Sequence, residues 1–473
     1  MSSPSRRTGC VARPGRSVPA HPPGDSLGAL SETTSAPEPT IGSRIPLPEG
    51  TLPVGAGLLV AGVASYLFFK IGVWALGEHD FAPVSALWFA TFALAPGLFL
   101  PLEQEAGRAL AHRKALGIGG RPVMRKVTVL GASLATVVSL ILLAASGAIS
   151  KHYFSGNWIM VLALVVSMAA YAPAHLTRGL CSGTGRFNSY AIVMGADGAV
   201  RIILCVVLAV VGVKTIGAYG FVVAVAPLLG VIFVLARGDG KLEDGPPASW
   251  AEITPNLGWL LLGSLFAAGL VNAGPIATGI LADKGQDALL TKFSYGVLMT
   301  RIPLFLFQAV QAALLPRLAR LAAKGDMVEF KRGFRQLMLV VIGVGTLGVV
   351  GSGLLGPFIV SKVYNADLSH STMIALALGS AFYMVALATA QAVIALHGHA
   401  FVAIGWTSGM ASFVLVTAVS SHDLFRRVEY GLVAGSGVAM LMFVFALRAR
   451  LNTGVHVDAS SILEAAIDQP FEG

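Results

Sequence analysis

Residues 127–149 read VTVLGASLATVVSLILLAASGAI, a run without one Asp, Glu, Lys or Arg. Arg121, Arg125 and Lys126 precede it and Lys151 follows it. An α-helix rises ~1.5 Å per residue, so about 20 apolar residues cross a ~30 Å hydrocarbon layer. A helix also pairs its backbone groups internally, which lipid demands. The run therefore reads as a transmembrane helix held between charged ends.

Outward from it, runs of the same kind fall at 53–76, 82–102, 158–180, 189–211, 217–236, 257–282, 288–314, 337–361, 371–396, 401–420 and 429–449. With 127–149 they make about twelve spans, so the expected fold is an all-α polytopic membrane protein. Composition agrees: the 473 residues are 55% hydrophobic and only 12% charged, with mean hydropathy +0.75. A soluble domain carries roughly 25% charged residues. The 55 glycines fit closely packed membrane helices.

Residues 1–50 are rich in Pro, Ser, Gly and Arg and carry no apolar period, so a disordered cytoplasmic tail is expected there. They contain no apolar core of a signal peptide. Residues 451–473 form a second polar tail, with one short amphipathic stretch from Ser460 to Ile467.

The net charge of +9 would suit nucleic-acid binding, but the charges sit in short loops between apolar runs. With the N-terminus inside, 23 Lys and Arg fall on the cytoplasmic side and six outside. That ratio predicts both termini in the cytoplasm; Arg426 and Arg427 are the local exception. Arg outnumbers Lys 22 to 11, which hints at a GC-rich bacterial genome; the expected location is the bacterial plasma (inner) membrane. Cys10, Cys181 and Cys205 show no pairing or metal-ligand pattern.

The chain also reads as duplicated. Leu100-Pro101 and Leu315-Pro316 each precede a basic stretch, 215 residues apart, and Gly185-Arg186 and Gly398-His399 lie 213 apart. Near-constant offsets predict a six-helix lobe at 51–236, a cytoplasmic linker at 237–256 and a second six-helix lobe at 257–450, around a central cavity. Chance matches among Ala- and Leu-rich helices are the bland alternative.

No phosphate-binding loop, zinc spacing or large extramembrane domain is present, so neither an enzyme nor a cofactor is expected. Ionisable residues inside helices then carry the functional reading, because each needs a partner or a wet cavity. Asp197 and Arg201 are one turn apart: a substrate path, a proton-responsive pair, or a neutralised structural pair. Arg301 lies mid-helix with no acid within a turn, and Ser294, Arg301 and Gln308 recur every seven residues as one polar stripe. That stripe suggests a cavity accepting an anion; a contact between Arg301 and Asp197 is the alternative. Asn272 precedes Gly274-Pro275, where the helical ladder breaks. Lys70 and Lys292 lie near helix ends and read as snorkelling, with Lys70 kept as a cavity candidate. Arg178, near the end of its helix, reads as facing headgroups. Gly345, Gly348 and Gly351, and Gly431 and Gly435, read as packing faces.

Several segments stand out in order along the chain: Leu76-Gly77-Glu78-His79-Asp80-Phe81, Leu102-Glu103-Gln104-Glu105 with Arg108, and Arg178-Gly179-Leu180 through Gly183, Gly185, Arg186 and Phe187. Asn272-Ala273-Gly274-Pro275, Arg301-Ile302-Pro303 and Gln311 to Pro316 add to them. Together they resemble polysaccharide flippases of the multidrug/oligosaccharidyl-lipid/polysaccharide (MOP) exporter superfamily. The resemblance spans roughly 53–450. It implies two six-helix lobes around a cationic cavity and translocation of a polyprenyl-diphosphate-linked oligosaccharide during polysaccharide biosynthesis. Arg301 and Arg201 would then attract the diphosphate and Asp197 would modulate that charge. Expected partners are the bilayer, the lipid-linked glycan, and a glycan polymerase or glycosyltransferases, with no nucleic acid. The alternative is a multidrug or metabolite exporter working by ion antiport. A membrane glycosyltransferase is disfavoured by the short outer loops.

Overall fold

A computed structural model describes residues 51–253, 257–283, 285–305, 307, 321–322 and 325–452. Gln308, the loop containing Arg317 and Arg320, the tail 1–50 and the stretch from Ser460 to Ile467 lie outside the described residues.

The first half contains α1 (Thr51–Leu76), α2 (Glu78–Ala115), α3 (Arg121–Ala144), α4 (Ser146–Tyr153), α5 (Trp158–Gly183), α6 (Phe187–Val211) and α7 (Ile216–Ala236). The second contains α8 (Leu257–Leu281), α9 (Asp287–Thr300), α10 (Met327–Tyr364), α11 (His370–Ala395), α12 (His399–Val419) and α13 (Leu424–Asn452). Eleven of these are long and apolar enough to cross a membrane, and no strand occurs among the described residues. The protein is therefore a multi-pass membrane protein.

The expected spans map onto these helices with two corrections. The span 127–149 is divided: α3 ends before Ala145, and the short α4 begins at Ser146-Gly147, both poor helix formers. The span 288–314 is broken at Arg301, which sits in a turn with φ −90° and ψ −5°. Pro303 causes this, because it cannot donate a helical hydrogen bond and its ring crowds the preceding turn. Gly348 on α10 makes room for it: a β-carbon there would lie 2.6 Å from the Pro303 ring.

Two helices outrun their apolar windows. α2 continues to Ala115 because Glu103, Gln104, Glu105, Ala106, Ala109, Leu110 and Ala111 are good helix formers despite the charges. α10 begins at Met327, where Asp326 caps the helix by accepting from the Glu329 amide at 3.1 Å.

Burial separates inner helices from outer ones. The apolar windows of α2 and α5 are 72% and 67% buried, against 22% for α3 and for α10. The outer helices expose Val129, Val137, Leu140 and Ile141 on α3, and Leu339, Leu347 and Leu354 on α10, as lipid-facing surfaces should. α1 packs on α6 and α2 on α5 in the first half; α11 and α12 pack on α13 in the second. The halves meet where α2 lies against α8 and α9. Small residues set these approaches. A β-carbon on Gly409 would lie 2.8 Å from the Gly435 carbonyl, so α12 and α13 touch backbone to backbone.

The linker between the halves is fastened to the first one. Arg113 Nε reaches Glu252 at 3.0 Å, Arg121 reaches Asp244 at 2.8 Å, and Ser189 donates to Asp239 at 2.7 Å. The hydrogen bond from Arg113 holds the Glu252 carboxyl below its ordinary range.

Candidate functional site

The site is built on proline. A proline inside a helix leaves the carbonyl four residues earlier without its N–H partner, and in lipid such a group costs several kcal/mol. Pro96 and Pro101 on α2 release the carbonyls of Phe92 and Gly97 in this way. Both are taken by α8: Asn272 Nδ2 donates to the Phe92 carbonyl at 3.0 Å, and Ser264 Oγ donates to that of Gly97 at 2.7 Å. Pro275 on α8 releases the Val271 carbonyl, which accepts from Arg301. Pro357 on α10 releases that of Gly353, which accepts from His370 Nδ1 at 2.6 Å.

Arg301 thus stands at the turn ending α9, with its second amino group donating to Asn272 Oδ1 at 3.2 Å. Its guanidinium lies 5.6 Å from the Phe89 ring of α2. A relay results, running from the Val271 carbonyl through Arg301 and Asn272 to the Phe92 carbonyl across the boundary between the halves. Among the described residues no acid pairs with Arg301; Asp197 is engaged elsewhere.

The other sequence candidates fall on both sides of this relay. Ser294 is buried, donates to the Leu290 carbonyl at 2.7 Å and meets Ser85 of α2 at 3.0 Å. Lys70 reaches the Val363 carbonyl at the end of α10, with its amine 6.0 Å from the Tyr364 ring. Further contacts between the halves lie at this end: Tyr66 donates to the Leu298 carbonyl at 2.9 Å, and Thr291 to that of Glu78 at 2.9 Å.

Asp197 and Arg201 form an ion pair at 2.5 Å, joined by Tyr171, which donates to Asp197 at 3.2 Å and accepts from Arg201 at 3.0 Å. Arg201 is only 1% exposed and lies 4.6 Å from the Trp88 ring and 5.4 Å from that of Phe92. Cation–π contact with desolvated aromatics offsets part of the cost of burying it.

A second buried cluster was not read from the sequence. Glu103 Oε2 accepts from Arg178 at 2.6 Å and lies 2.8 Å from His175 Nδ1, while Oε1 accepts from Tyr190 at 2.9 Å. Arg178 thus binds Glu103 rather than facing headgroups. Gly179 brings the chains together: a β-carbon there would lie 2.6 Å from the Glu103 carbonyl. Glu103 looked like a loop residue because the apolar window closes at Leu102. The available signal was His175 and Arg178 at i and i+3, both needing one acid.

Beyond these contacts, toward the end of α2 carrying Gln104, lies a cavity of about 200 Å³. α2, α8, α11 and α12 line it. Phe92, Trp259, Tyr383 and Trp406 give it aromatic walls, and Gln104, Ser264, Gln391 and His399 give it polar groups. No Lys, Arg, Asp or Glu is among its described lining residues. Arg301 instead borders a smaller cavity of about 30 Å³, beside Thr300, Ser380 and Ser436. Arg201 is turned to Asp197.

This architecture is a helical bundle of two lobes whose interface carries a cavity and proline-broken helices. No family model matches the chain. An uncharacterised protein of Mycobacterium tuberculosis, Rv3630, is 22% identical over 409 residues, covering 83% of this chain and 91% of that one. A second from that organism, Rv1510, is 22% identical over 407 residues, covering 84% and 91%. Among solved structures, an inward-facing multidrug resistance MATE family transporter of the MOP superfamily superposes with TM-score 0.65 at 14% identity, over 84% of this chain and 98% of that one. An outward-facing structure of a transporter so described gives 0.64 at 16%, over 86% and 95%. The chain has the fold of the MATE transporters.

Proposed function

We propose that this protein is a membrane transporter that carries amphipathic, ring-bearing solutes by alternating exposure of the cavity between its halves. The observation that carries the reading is that cavity. Its aromatic walls and neutral polar groups suit an apolar body with a few hydrogen-bonding groups. A polyprenyl diphosphate would call for fixed cations, and the described lining offers none. The structural neighbours described as multidrug resistance transporters support the export reading over the flippase reading.

Exchange for a proton fits the first half. Asp197 is bound to Arg201 and Tyr171, and the Arg201 guanidinium lies 5.4 Å from the ring of Phe92, which lines the cavity. Loss of the Asp197 charge would break the ion pair that holds Arg201 against Trp88 and Phe92.

The two cargo readings separate in proteoliposomes with an imposed proton gradient. A fluorescent aromatic amphiphile should accumulate against its gradient, and Asp197→Asn should abolish the dependence on ΔpH. Translocation of a labelled polyprenyl-diphosphate sugar, with no movement of the amphiphile, would return the flippase reading.

A further inference from the structure

Arg301 has five N–H groups, and two have acceptors: Asn272 Oδ1 and the Val271 carbonyl. Three remain without a protein acceptor among the described residues. Among the described residues no carboxylate balances the charge there. A guanidinium left so in a low-dielectric bundle needs an anion or water to offset its desolvation.

The cavity beside it has a matching composition. Thr300, Ser380 and Ser436 border it with Arg301. Ser436 is 3% exposed on α13. Ser380 and Ser436 make no hydrogen bond among the described residues. Thr300 spends its hydroxyl proton on the Gly296 carbonyl at 3.0 Å. The rest of the lining is Tyr383, whose hydroxyl donates to the Ala267 carbonyl at 3.2 Å, and residues without polar side chains, including Leu270, Val297, Leu376 and Leu432. Two uncommitted hydroxyl donors and a partly uncommitted guanidinium thus border one small pocket whose described lining contains no acid.

Size narrows the ligand. The volume of about 30 Å³ exceeds the ~10–15 Å³ of probe-occupied volume that one water needs. That is room for a single-atom anion. Apolar walls favour a weakly hydrated ion over one that must keep its water shell.

We propose that Arg301, Ser380 and Ser436 form a binding site for a small monovalent anion, a halide of chloride size. Bound there, the anion neutralises the charge at the break between α9 and the following segment. It would also fix the relay that ties Arg301 through Asn272 to α2. The assignment stands independently of the cargo.

The test uses the full chain purified in detergent. The thermal unfolding midpoint is followed while sodium chloride replaces sodium gluconate at constant ionic strength, with sodium acetate as a parallel arm. The midpoint should rise with chloride in a saturable way, because a ligand that binds the folded state stabilises it by mass action. The double variant Ser380→Ala/Ser436→Ala, which keeps the charge, should need roughly tenfold more chloride for half the rise. Arg301→Gln should lose the dependence. Should Arg301→Gln fail to fold, the serine variant alone decides. Equal midpoints in chloride and gluconate, or an unchanged chloride dependence in the serine variant, would overturn the proposal. Acetate acting as well as chloride would overturn the halide assignment, pointing to a carboxylate of the cargo.

Discussion

Arg301 donates to the carbonyl of Val271, the group that Pro275 leaves without a helical partner. A cation on one helix thereby completes the hydrogen bonding of a break in another. Asn272 repeats the arrangement one step further, completing the Pro96 break in α2 while accepting from Arg301.

A double-mutant cycle checks this. Arg301→Ala should destabilise by about 2 kcal/mol, because it leaves the Val271 carbonyl and Asn272 Oδ1 short of a donor. Pro275→Ala restores the helical N–H. The double variant should therefore lose clearly less than the sum of the two single losses, read as unfolding midpoints in detergent. Strict additivity would show that Arg301 does not serve that carbonyl.

The bond from Asn272 to Phe92 crosses between the halves, so it bears on movement as well as stability. Asn272→Leu should slow transport more than Ser264→Ala, since it cuts the relay at two points. Combining it with Pro96→Ala should recover part of the rate. Initial rates in proteoliposomes at matched protein content measure this.

Removing Glu103 should be costly. Glu103→Gln leaves the half-buried Arg178 without its carboxylate and weakens the contacts of His175 and Tyr190, and loss of one partner of a buried pair costs about 3–5 kcal/mol. A sharp drop in detergent-extractable folded protein is the expected readout. Arg178→Gln on top of Glu103→Gln should add little.

The linker has a pH signature outside the membrane. Glu252 has its carboxyl lowered by Arg113, so its contribution is complete above the unfolded value of ~4.3. That contribution disappears as pH falls through the lower folded value. Limited proteolysis of residues 237–253 should accelerate as pH falls below about 4. Arg113→Gln should show the fast rate already at neutral pH.

The apolar runs place the helices because lipid leaves a spanning chain few options, and eleven of the expected twelve spans appear as helices of spanning length. The twelfth was legible as apolar but not as broken, since Pro303 acts on geometry that hydropathy does not register. The candidate residues were legible by type, because an ionisable group in an apolar run stands out. Their partners were not. Arg301 could be matched with Asp197 on charge alone, and only the packing of α8 against α9 shows that a proline-released carbonyl takes it. Glu103 was hidden because helix α2 outlasts its apolar window. The walls of the large cavity come from four helices far apart in sequence, and no single motif marks them.

The central claim is that solute passes through the cavity bounded by α2, α8, α11 and α12. Ala268→Trp would fill much of that space while leaving Arg301, Asn272 and the buried ion pairs in place. The decisive measurement is uptake of an aromatic amphiphile by proteoliposomes under a proton gradient, with wild type and this variant at equal folded content. Robust uptake by wild type and near-complete loss in the variant is the predicted result. Equal uptake by both proteins would contradict the account.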